Sequence, residues 1–217
     1  MSPGALARRV LGERAFRAAG RAYRAVFVDL DGEIATIAAE VPQGAHVLDV
    51  GGGDGEPLDR LLALRSDIRV TTIDVAPDVG SWISPANAPR VERCPATTLG
   101  MHLASTATLP DVLLLADVMH HVPPASRPMF LADVAELVRR QPSLRLIVKD
   151  VEPGYWRATL GYWSDRYVTG DRDVAPVSRE ALVELVCGAC GPLAWRETPL
   201  FARDPPNYAL VFERTEM

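Results

Sequence analysis

The sequence predicts an α/β protein whose central sheet is mostly parallel. Short apolar runs with β-branched members, typical of buried strands, alternate with segments whose apolar residues recur at helical spacing. The clearest unit runs from a strand at 46–50 through a glycine-rich turn into a helix that contains Leu58, Leu61 and Leu62. The nearly continuous apolar run at 111–116 is typical of a central parallel strand, which is buried on both faces. A chain of 217 residues suits one such domain.

Composition excludes several classes of protein. Hydrophobic residues make up 48% and charged residues 24%, as in ordinary globular proteins, and a net charge of −5 gives no support for nucleic-acid binding. No uncharged run reaches the ~18 residues of a membrane span, and the N-terminus lacks the apolar core of a secretory signal. Cys94, Cys187 and Cys190 do not make a disulfide framework, and the lone Cys-x-x-Cys has no further zinc ligands nearby. We therefore expect a cytoplasmic protein with reduced thiols and no stable membrane insertion.

The turn after the first predicted strand carries the most specific motif. Asp49, Gly51, Gly53 and Gly55 stand at every second position. Glycines let the backbone approach a ligand closely, and the N–H groups at the start of the following helix are free to face it. A dinucleotide fingerprint needs a third glycine where Glu56 stands, and acidic side chains there repel a pyrophosphate. The alternative is a glycine-rich turn without a ligand.

This spacing resembles the acidic-x-Gly-x-Gly-x-Gly motif of class I S-adenosylmethionine-dependent methyltransferases. Asp74 strengthens the resemblance because it ends the next predicted strand, about 20 residues after the turn, where an acid can accept hydrogen bonds from ribose hydroxyls. Capping the turn before Pro77 is the other role open to Asp74. The segment Asp117–Val122, with its His-His-Val, resembles the one after the fourth strand in many small-molecule members. The resemblance extends over residues 44–213.

The resemblance implies a three-layer Rossmann-like sandwich. Its sheet would be seven-stranded and mostly parallel, with an antiparallel C-terminal strand and N-terminal helices over the carboxyl edge. It divides the chain into an N-terminal helical cap at 1–43 and a methyltransferase domain at 44–217. Apolar residues in 5–41 keep helical spacing, in agreement with a helical cap. The arginine-rich start of that segment is a solvated helix face, a helix that lies on a membrane surface, or an organellar transit segment.

The cofactor that the resemblance implies is S-adenosyl-L-methionine, with no metal. Asp49 would fix the glycine turn that holds the methionine part, Asp74 would bind ribose, and Asp117 or a neighbouring carbonyl would face the ammonium group. No acid follows the third predicted strand, so Thr97 or backbone groups are left to contact the adenine. The implied cofactor-binding residues are Asp49, Gly51, Gly52, Gly53, Asp74, Val75, Thr97, Ala116 and Asp117.

An aromatic segment follows the fifth predicted strand, at the edge of the sheet that faces the site. Aromatic walls with a few polar groups suit a small organic substrate, although the same rings could instead pack a helix onto the domain. The predicted substrate-binding residues are Tyr155, Trp156, Tyr162, Trp163 and Arg166.

The predicted function is transfer of the methyl group of S-adenosylmethionine to a small organic acceptor, in a monomer or a homodimer. His120 and His121 lie where a general base would act, and His121 is favoured because the second histidine is the more usual in the resembled motif. Both histidines could also serve only to hold the loop. The rival functions are a non-catalytic S-adenosylmethionine-binding regulatory protein and an enzyme that uses this fold and cofactor for other chemistry, such as cyclisation.

Overall fold

The computed structural model describes residues 29–164, 173–198 and 206–214, which form one sheet with helices on both faces. The strands are β1 (His46–Val50), β2 (Arg69–Ile73), β3 (Val91–Cys94), β4 (Val112–Ala116), β5 (Arg145–Val151), β6 (Ala194–Thr198) and β7 (Asn207–Glu213). The helices are α1 (Leu30–Glu40), α2 (Glu56–Leu64), α3 (Leu99–Ser105), α4 (Arg127–Arg140), α5 (Trp156–Ser164) and α6 (Arg179–Cys190). Two short 3₁₀ turns occupy Ala88–Arg90 and Met119–His121.

The seven strands lie in the order β3-β2-β1-β4-β5-β7-β6. Strands β1 to β5 pair in parallel, and β7 runs antiparallel to both β5 and β6. This confirms the predicted seven-stranded, mostly parallel sheet with an antiparallel C-terminal strand. Because β1 lies between β2 and β4, the chain leaves β1 and β4 in opposite directions, and the loops after these strands diverge into a crevice.

Alternate side chains of the central strands enter two cores. Val47 packs with α1 and α2 on one face, and Leu48 packs with α3, α4 and α6 on the other. Strand β5 follows the same rule, since Ile147 belongs to the first core and Val148 to the second. This alternation decides which helices each polar residue at the strand ends meets.

Hydrogen-bonding side chains cap the helices that frame the site. Asp29 accepts a hydrogen bond from Gly32 N at the start of α1, and Thr98 accepts one from Met101 N at the start of α3. The predicted N-cap, Ser178, accepts one from Ala181 N.

Helix α1 is anchored at its C-terminal end by Arg65, which follows α2. The Arg65 guanidinium donates to the backbone carbonyls of Ala38, Val41 and Pro42 and is itself paired with Asp67. The Ala38 and Val41 carbonyls lie at the end of the helix, where carbonyl groups are left without intrahelical donors.

The helical prediction for 5–41 is confirmed where the chain is described, at Leu30–Glu40, and its earlier part lies outside the described residues. The boundary between a cap at 1–43 and a domain at 44–217 stays a prediction. Within the described ranges, every helix is too short or too polar to cross a membrane.

Candidate functional site

The glycine turn between β1 and α2 has a backbone that favours glycine at three positions. Gly51, Gly53 and Gly55 have φ angles of 75°, 52° and 84°. Gly51 N donates to Ile73 O at 2.8 Å, which ties the turn to the end of β2. A side chain at Gly53 would find only the Gly51 carbonyl oxygen, at 3.9 Å, so Gly53 presents an open backbone face. A ligand could approach the backbone closely at this point.

Asp49 lies beneath this turn, on the last part of β1. The sheet register pairs Asp49 with Thr72 of β2, and the Thr72 hydroxyl donates to Asp49 Oδ2 at 2.8 Å. Burial raises the pKa of Asp49 to about 6, against the lowering effect of the Thr72 hydrogen bond. A Cβ atom at Gly52 would lie 2.0 Å from Thr72 Oγ1 and 2.5 Å from Asp49 Oδ2, so this pair leaves no room for a side chain there.

Asp74 follows β2 and contacts the glycine turn directly. Its Oδ2 accepts from Gly53 N at 2.9 Å and its Oδ1 accepts from Ala76 N at 2.8 Å. Each oxygen keeps acceptor capacity, because a carboxylate oxygen has two lone pairs. Thr97 lies alongside, with its N–H donating to Asp74 O at 2.8 Å, and Val75 is exposed. The structure therefore brings Asp74, Val75 and Thr97 to the same edge as the glycine turn.

Asp117 begins the loop after β4 in a left-handed conformation, with a φ of 58°. The register pairs Ala116 with Lys149 of β5, and Asp117 N donates to Lys149 O at 2.9 Å. Both carboxylate oxygens of Asp117 lie 2.8 Å from Lys149 Nζ. Desolvation raises the pKa of Asp117, but the Lys149 ammonium outweighs it and holds the pKa below its usual value.

Lys149 links this loop to the capping helix α1. It lies on the same face of β5 as Ile147, towards α1, and its Nζ is 3.4 Å from Glu33 Oε2. Both side chains are buried, with 3% and 5% of their areas exposed. Burial alone lowers the pKa of a lysine, but the charges of Asp117 and Glu33 raise the pKa of Lys149 above its usual value.

Burial and the charged partner affect the pKa of Glu33 in the directions opposite to those for Lys149. Burial raises the pKa of Glu33 to about 7, although Lys149 acts to lower it. Its second oxygen, Oε1, is buried without a hydrogen-bond partner in the described part of the chain.

His120 and Asp150 form a buried pair on the other side of β5. His120 Nδ1 lies 2.7 Å from Asp150 Oδ1, and the backbone N–H of His120 donates to Asp150 Oδ2 at 3.2 Å. Asp150 is fully buried and His120 is 4% exposed. An ionised carboxylate only accepts hydrogen bonds, so the proton of the neutral imidazole belongs on Nδ1 and Nε2 is the basic nitrogen. His121 is exposed, with its ring centroid 4.1 Å from that of His120.

The same groups offer a set of ligands that a metal ion could use. One atom each from Asp117, His120 and Asp150 lie within 4.8 Å of one another. However, Lys149 Nζ already contacts both oxygens of Asp117, and an ammonium group repels a cation. Asp150 also accepts from two backbone N–H groups. This donor set fits a hydrogen-bonded network better than a metal centre.

The predicted aromatic substrate wall is divided between two environments. The Tyr162 hydroxyl donates to Val151 O at 2.7 Å, and its ring meets that of His120 edge-on at 5.7 Å between centroids. Trp156 and Trp163 are 66% and 63% exposed, and Tyr155 is partly exposed. Arg166 lies outside the described residues. Tyr162 is thus a member of the predicted wall whose ring contacts the histidine pair.

Three residues of this network, Glu33, Lys149 and Asp150, are absent from the residues predicted from the sequence. The sequence does contain a signal for two of them, because Lys149 and Asp150 end an otherwise apolar strand run, where charged residues are costly unless paired. Glu33 gives no such signal, since an acid in the first turn of a helix is common.

The strand order and pairing directions are those of the predicted Rossmann-like α/β fold. Comparison with solved structures agrees. Mitomycin 7-O-methyltransferase MmcR superposes with a TM-score of 0.64 at 22% identity, covering 85% of this chain and 54% of its own. NcsB1, an O-methyltransferase from neocarzinostatin biosynthesis, superposes with a TM-score of 0.60 at 21% identity, covering 82% of this chain and 52% of its own. A TehB-like methyltransferase from Corynebacterium glutamicum superposes with a TM-score of 0.60 at 19% identity, covering 92% of this chain and 96% of its own.

The chain therefore spans about half the length of MmcR and NcsB1 and nearly all of the TehB-like protein. At these identities the likeness establishes the fold. No protein-family model matches the sequence, and no curated protein sequence matches it.

Proposed function

We propose that this protein binds S-adenosylmethionine and transfers its methyl group to a small organic acceptor. The observation that carries the proposal is the open glycine turn, whose Gly53 N–H is held by Asp74 at the point where the sheet order reverses. Support comes from NcsB1, which has the same fold and was crystallised with S-adenosylmethionine and 2-hydroxy-5-methyl naphthoic acid. Fold likeness alone does not assign an activity, so the proposal depends on the site.

The residues present fit this cofactor. Gly53 offers backbone without a side chain in the way, Asp74 offers acceptors for two ribose hydroxyls, and Thr97 lies beside Asp74 for the adenine. Three acids, Glu33, Asp117 and Asp150, lie around a single lysine at the carboxyl ends of β4 and β5. When bound, the cofactor supplies an electrophilic methyl group on a positively charged sulfur. An acidic environment favours a ligand with positive sulfonium and ammonium groups.

His120 is the better placed general base of the two histidines. Asp150 holds its Nδ1, fixes its tautomer and stabilises the imidazolium that forms when Nε2 takes a proton from an acceptor hydroxyl. His121, which was favoured from the sequence, is exposed, and its ring centroid lies 4.1 Å from that of His120. An oriented base raises the reactivity of a hydroxyl acceptor without changing the cofactor site, typically by ~10²–10⁴-fold.

The acceptor in this proposal is a small hydroxylated organic molecule with an aromatic ring. Tyr162 supplies an aromatic edge beside His120, and Tyr155, Trp156 and Trp163 extend the aromatic surface outward along α5. The reaction would take place in the cytoplasm, as composition predicts. Sedimentation analysis would show whether the protein is a monomer or a homodimer.

The proposal is tested in two steps. Calorimetric titration with S-adenosylhomocysteine measures cofactor binding, and incubation with S-adenosylmethionine and a panel of hydroxylated aromatic acids measures methylated product by mass spectrometry. Binding followed by methylation supports the proposal. Tight binding with no product from any acceptor favours the regulatory alternative, and absence of binding refutes the proposal outright.

A further inference from the structure

Glu33 has a free acceptor atom in a place where buried carboxylates are normally satisfied. The residue is 4% exposed, its Oε2 shares Lys149 with Asp117, and its Oε1 has no hydrogen-bond partner among the described residues. A buried acceptor left unpaired costs free energy of the order of 1–3 kcal/mol. A bound ligand that carries a hydrogen-bond donor would satisfy an atom of this kind.

The position of Glu33 shows where that donor would come from. Glu33 and Ile37 lie one turn apart on α1, so their side chains share a face of the helix. Ile37 lines a small cavity of about 50 Å³ together with Gly51, Gly52 and Ala116. Glu33 therefore lies one helical turn from a residue that lines this cavity, and it shares Lys149 with Asp117, near which the ligand's amino-acid part would be bound.

The charges that face Glu33 come from three elements. Lys149 of β5 attracts its carboxylate, whereas Asp117 from the loop after β4 and Asp29 at the start of α1 repel it. Both oxygens of Asp117 are already engaged by Lys149. Each Asp117 oxygen keeps a lone pair, whereas Glu33 Oε1 is buried and accepts no hydrogen bond from the described residues.

We propose that Glu33 accepts a hydrogen bond from the α-ammonium group of the bound cofactor through Oε1, and that a protonated Glu33 releases its proton to solvent when the cofactor binds. The inference rests on the proposed cofactor and names a further residue for its site. A cation placed beside Oε1 favours the ionised carboxylate, and an ionised carboxylate makes the stronger hydrogen bond to an ammonium donor. Ligand binding and proton release are therefore linked.

The size of this linkage follows from the state of Glu33 in the free protein. With its pKa at about 7, Glu33 is about half protonated at pH 7. If the bound cofactor lowers the pKa well below 6, about half a proton leaves per ligand at pH 7, and the dissociation constant falls about tenfold between pH 6 and pH 8. A ligand without the ammonium group lacks the interaction that drives this change.

Two ligands separate the amino-acid contact from the adenosine contacts. S-adenosylhomocysteine carries the α-ammonium group, and 5′-methylthioadenosine has the same adenosine and sulfur without the amino acid. Calorimetric titration of the full chain at pH 7, in two buffers with different ionisation enthalpies, gives the number of protons released. We expect release with S-adenosylhomocysteine, none with 5′-methylthioadenosine, and about tenfold tighter S-adenosylhomocysteine binding at pH 8 than at pH 6.

Glu33→Gln keeps the size of the side chain and removes its titration. We expect this variant to lose most of the proton release and to bind S-adenosylhomocysteine about tenfold or more weakly, with 5′-methylthioadenosine affinity unchanged. Asp31→Asn is the matched control, because Asp31 lies on the same helix with its side chain 82% exposed, and this variant should behave as the wild type.

Equal proton release by wild type and Glu33→Gln overturns the inference, as does wild-type affinity that is flat from pH 6 to 8. If the variant does not fold, equal release with both ligands in the wild type overturns it instead. Binding of neither ligand refutes the proposed function itself, so the two failures are distinguishable.

Discussion

Two neighbouring glycines of the turn are predicted to differ sharply in what they do. Gly52→Ala places a methyl group 2.0 Å from Thr72 Oγ1 and 2.5 Å from Asp49 Oδ2, inside the hydrogen bond that joins these two side chains. Gly53→Ala places the same methyl group in open space, with the nearest atom 3.9 Å away. The first substitution should act on stability and the second on ligand binding.

The magnitudes follow from these distances. Overpacking of the Gly52 site costs about 1–3 kcal/mol. Displacement of the Thr72 hydroxyl leaves buried Asp49 without its side-chain donor, which adds about 1–3 kcal/mol. We expect Gly52→Ala to lower the free energy of unfolding by about 2–6 kcal/mol, a large part of a typical total. Gly53→Ala should lower the free energy of unfolding by only about 1–2 kcal/mol, the cost of an alanine in the left-handed conformation.

Urea unfolding followed by tryptophan fluorescence measures the free energies of the two variants, with the slope of the transition as a check on two-state behaviour. Calorimetry with S-adenosylhomocysteine at a temperature where both variants are folded measures binding. Gly53→Ala should bind about tenfold or more weakly, because its methyl group stands on the ligand-facing side of the turn. The reasoning is refuted if Gly52→Ala costs less than about 1 kcal/mol, or if Gly53→Ala binds as the wild type does.

Three further predictions concern charged groups. Asp74→Ala should weaken S-adenosylhomocysteine binding by about 1–3 kcal/mol, measured by calorimetry, because the ribose loses its acceptor and Gly53 N loses its partner. His120→Ala should lower turnover of a hydroxyl acceptor by ~10²–10⁴-fold at unchanged cofactor affinity, whereas His121→Ala should lose less than about tenfold. Burial raises the pKa of Glu33 from 4.5 to about 7 in the folded state. The free energy of unfolding should therefore fall as the pH rises from 4.5 to 7. Urea titrations at pH 5 and pH 8 should show the wild type losing about 1–3 kcal/mol relative to Glu33→Gln.

Each of these three has an outcome that contradicts it. An unchanged affinity in Asp74→Ala removes the carboxylate from the ribose site, and Asp74→Asn serves as the conservative control. If both histidine variants stay folded and keep more than a tenth of the wild-type turnover, neither is a general base. A wild type that gains stability relative to Glu33→Gln between pH 5 and pH 8 reverses the sign of the argument for Glu33.

The fold could be predicted because its strands carry local signals. The run around Leu113 is apolar enough to identify a central strand, and the turn after β1 has the spacing that positive φ angles require. Helix α3 was not predicted, since its seven residues after Thr98 are too few for a periodic pattern. The exposure of Trp156 and Trp163 could not be predicted either, because aromatic composition does not show which side of a helix faces the protein.

The charged part of the site could not be predicted for a different reason. Glu33 and Lys149 are 116 positions apart in the sequence, and their contact depends on α1 packing against the face of β5 that also carries Ile147. The pairing of His120 with Asp150 likewise needs the register of β4 and β5. Motifs identify residues near one strand end, whereas partners from distant segments follow only from the tertiary arrangement.

The contacts of α1 with its neighbours limit how this helix can move. Arg65 holds the carbonyls at the C-terminal end of the helix, and an ion pair between Asp31 and Arg60 of α2 holds its N-terminal end. The helix has 11 residues and is therefore roughly 16 Å long, so a tilt of about 10° moves its N-terminal end by roughly 3 Å. That displacement is comparable to the 3.4 Å that separates Glu33 from Lys149. A small change in the angle of α1 would therefore be enough to separate Glu33 from Lys149.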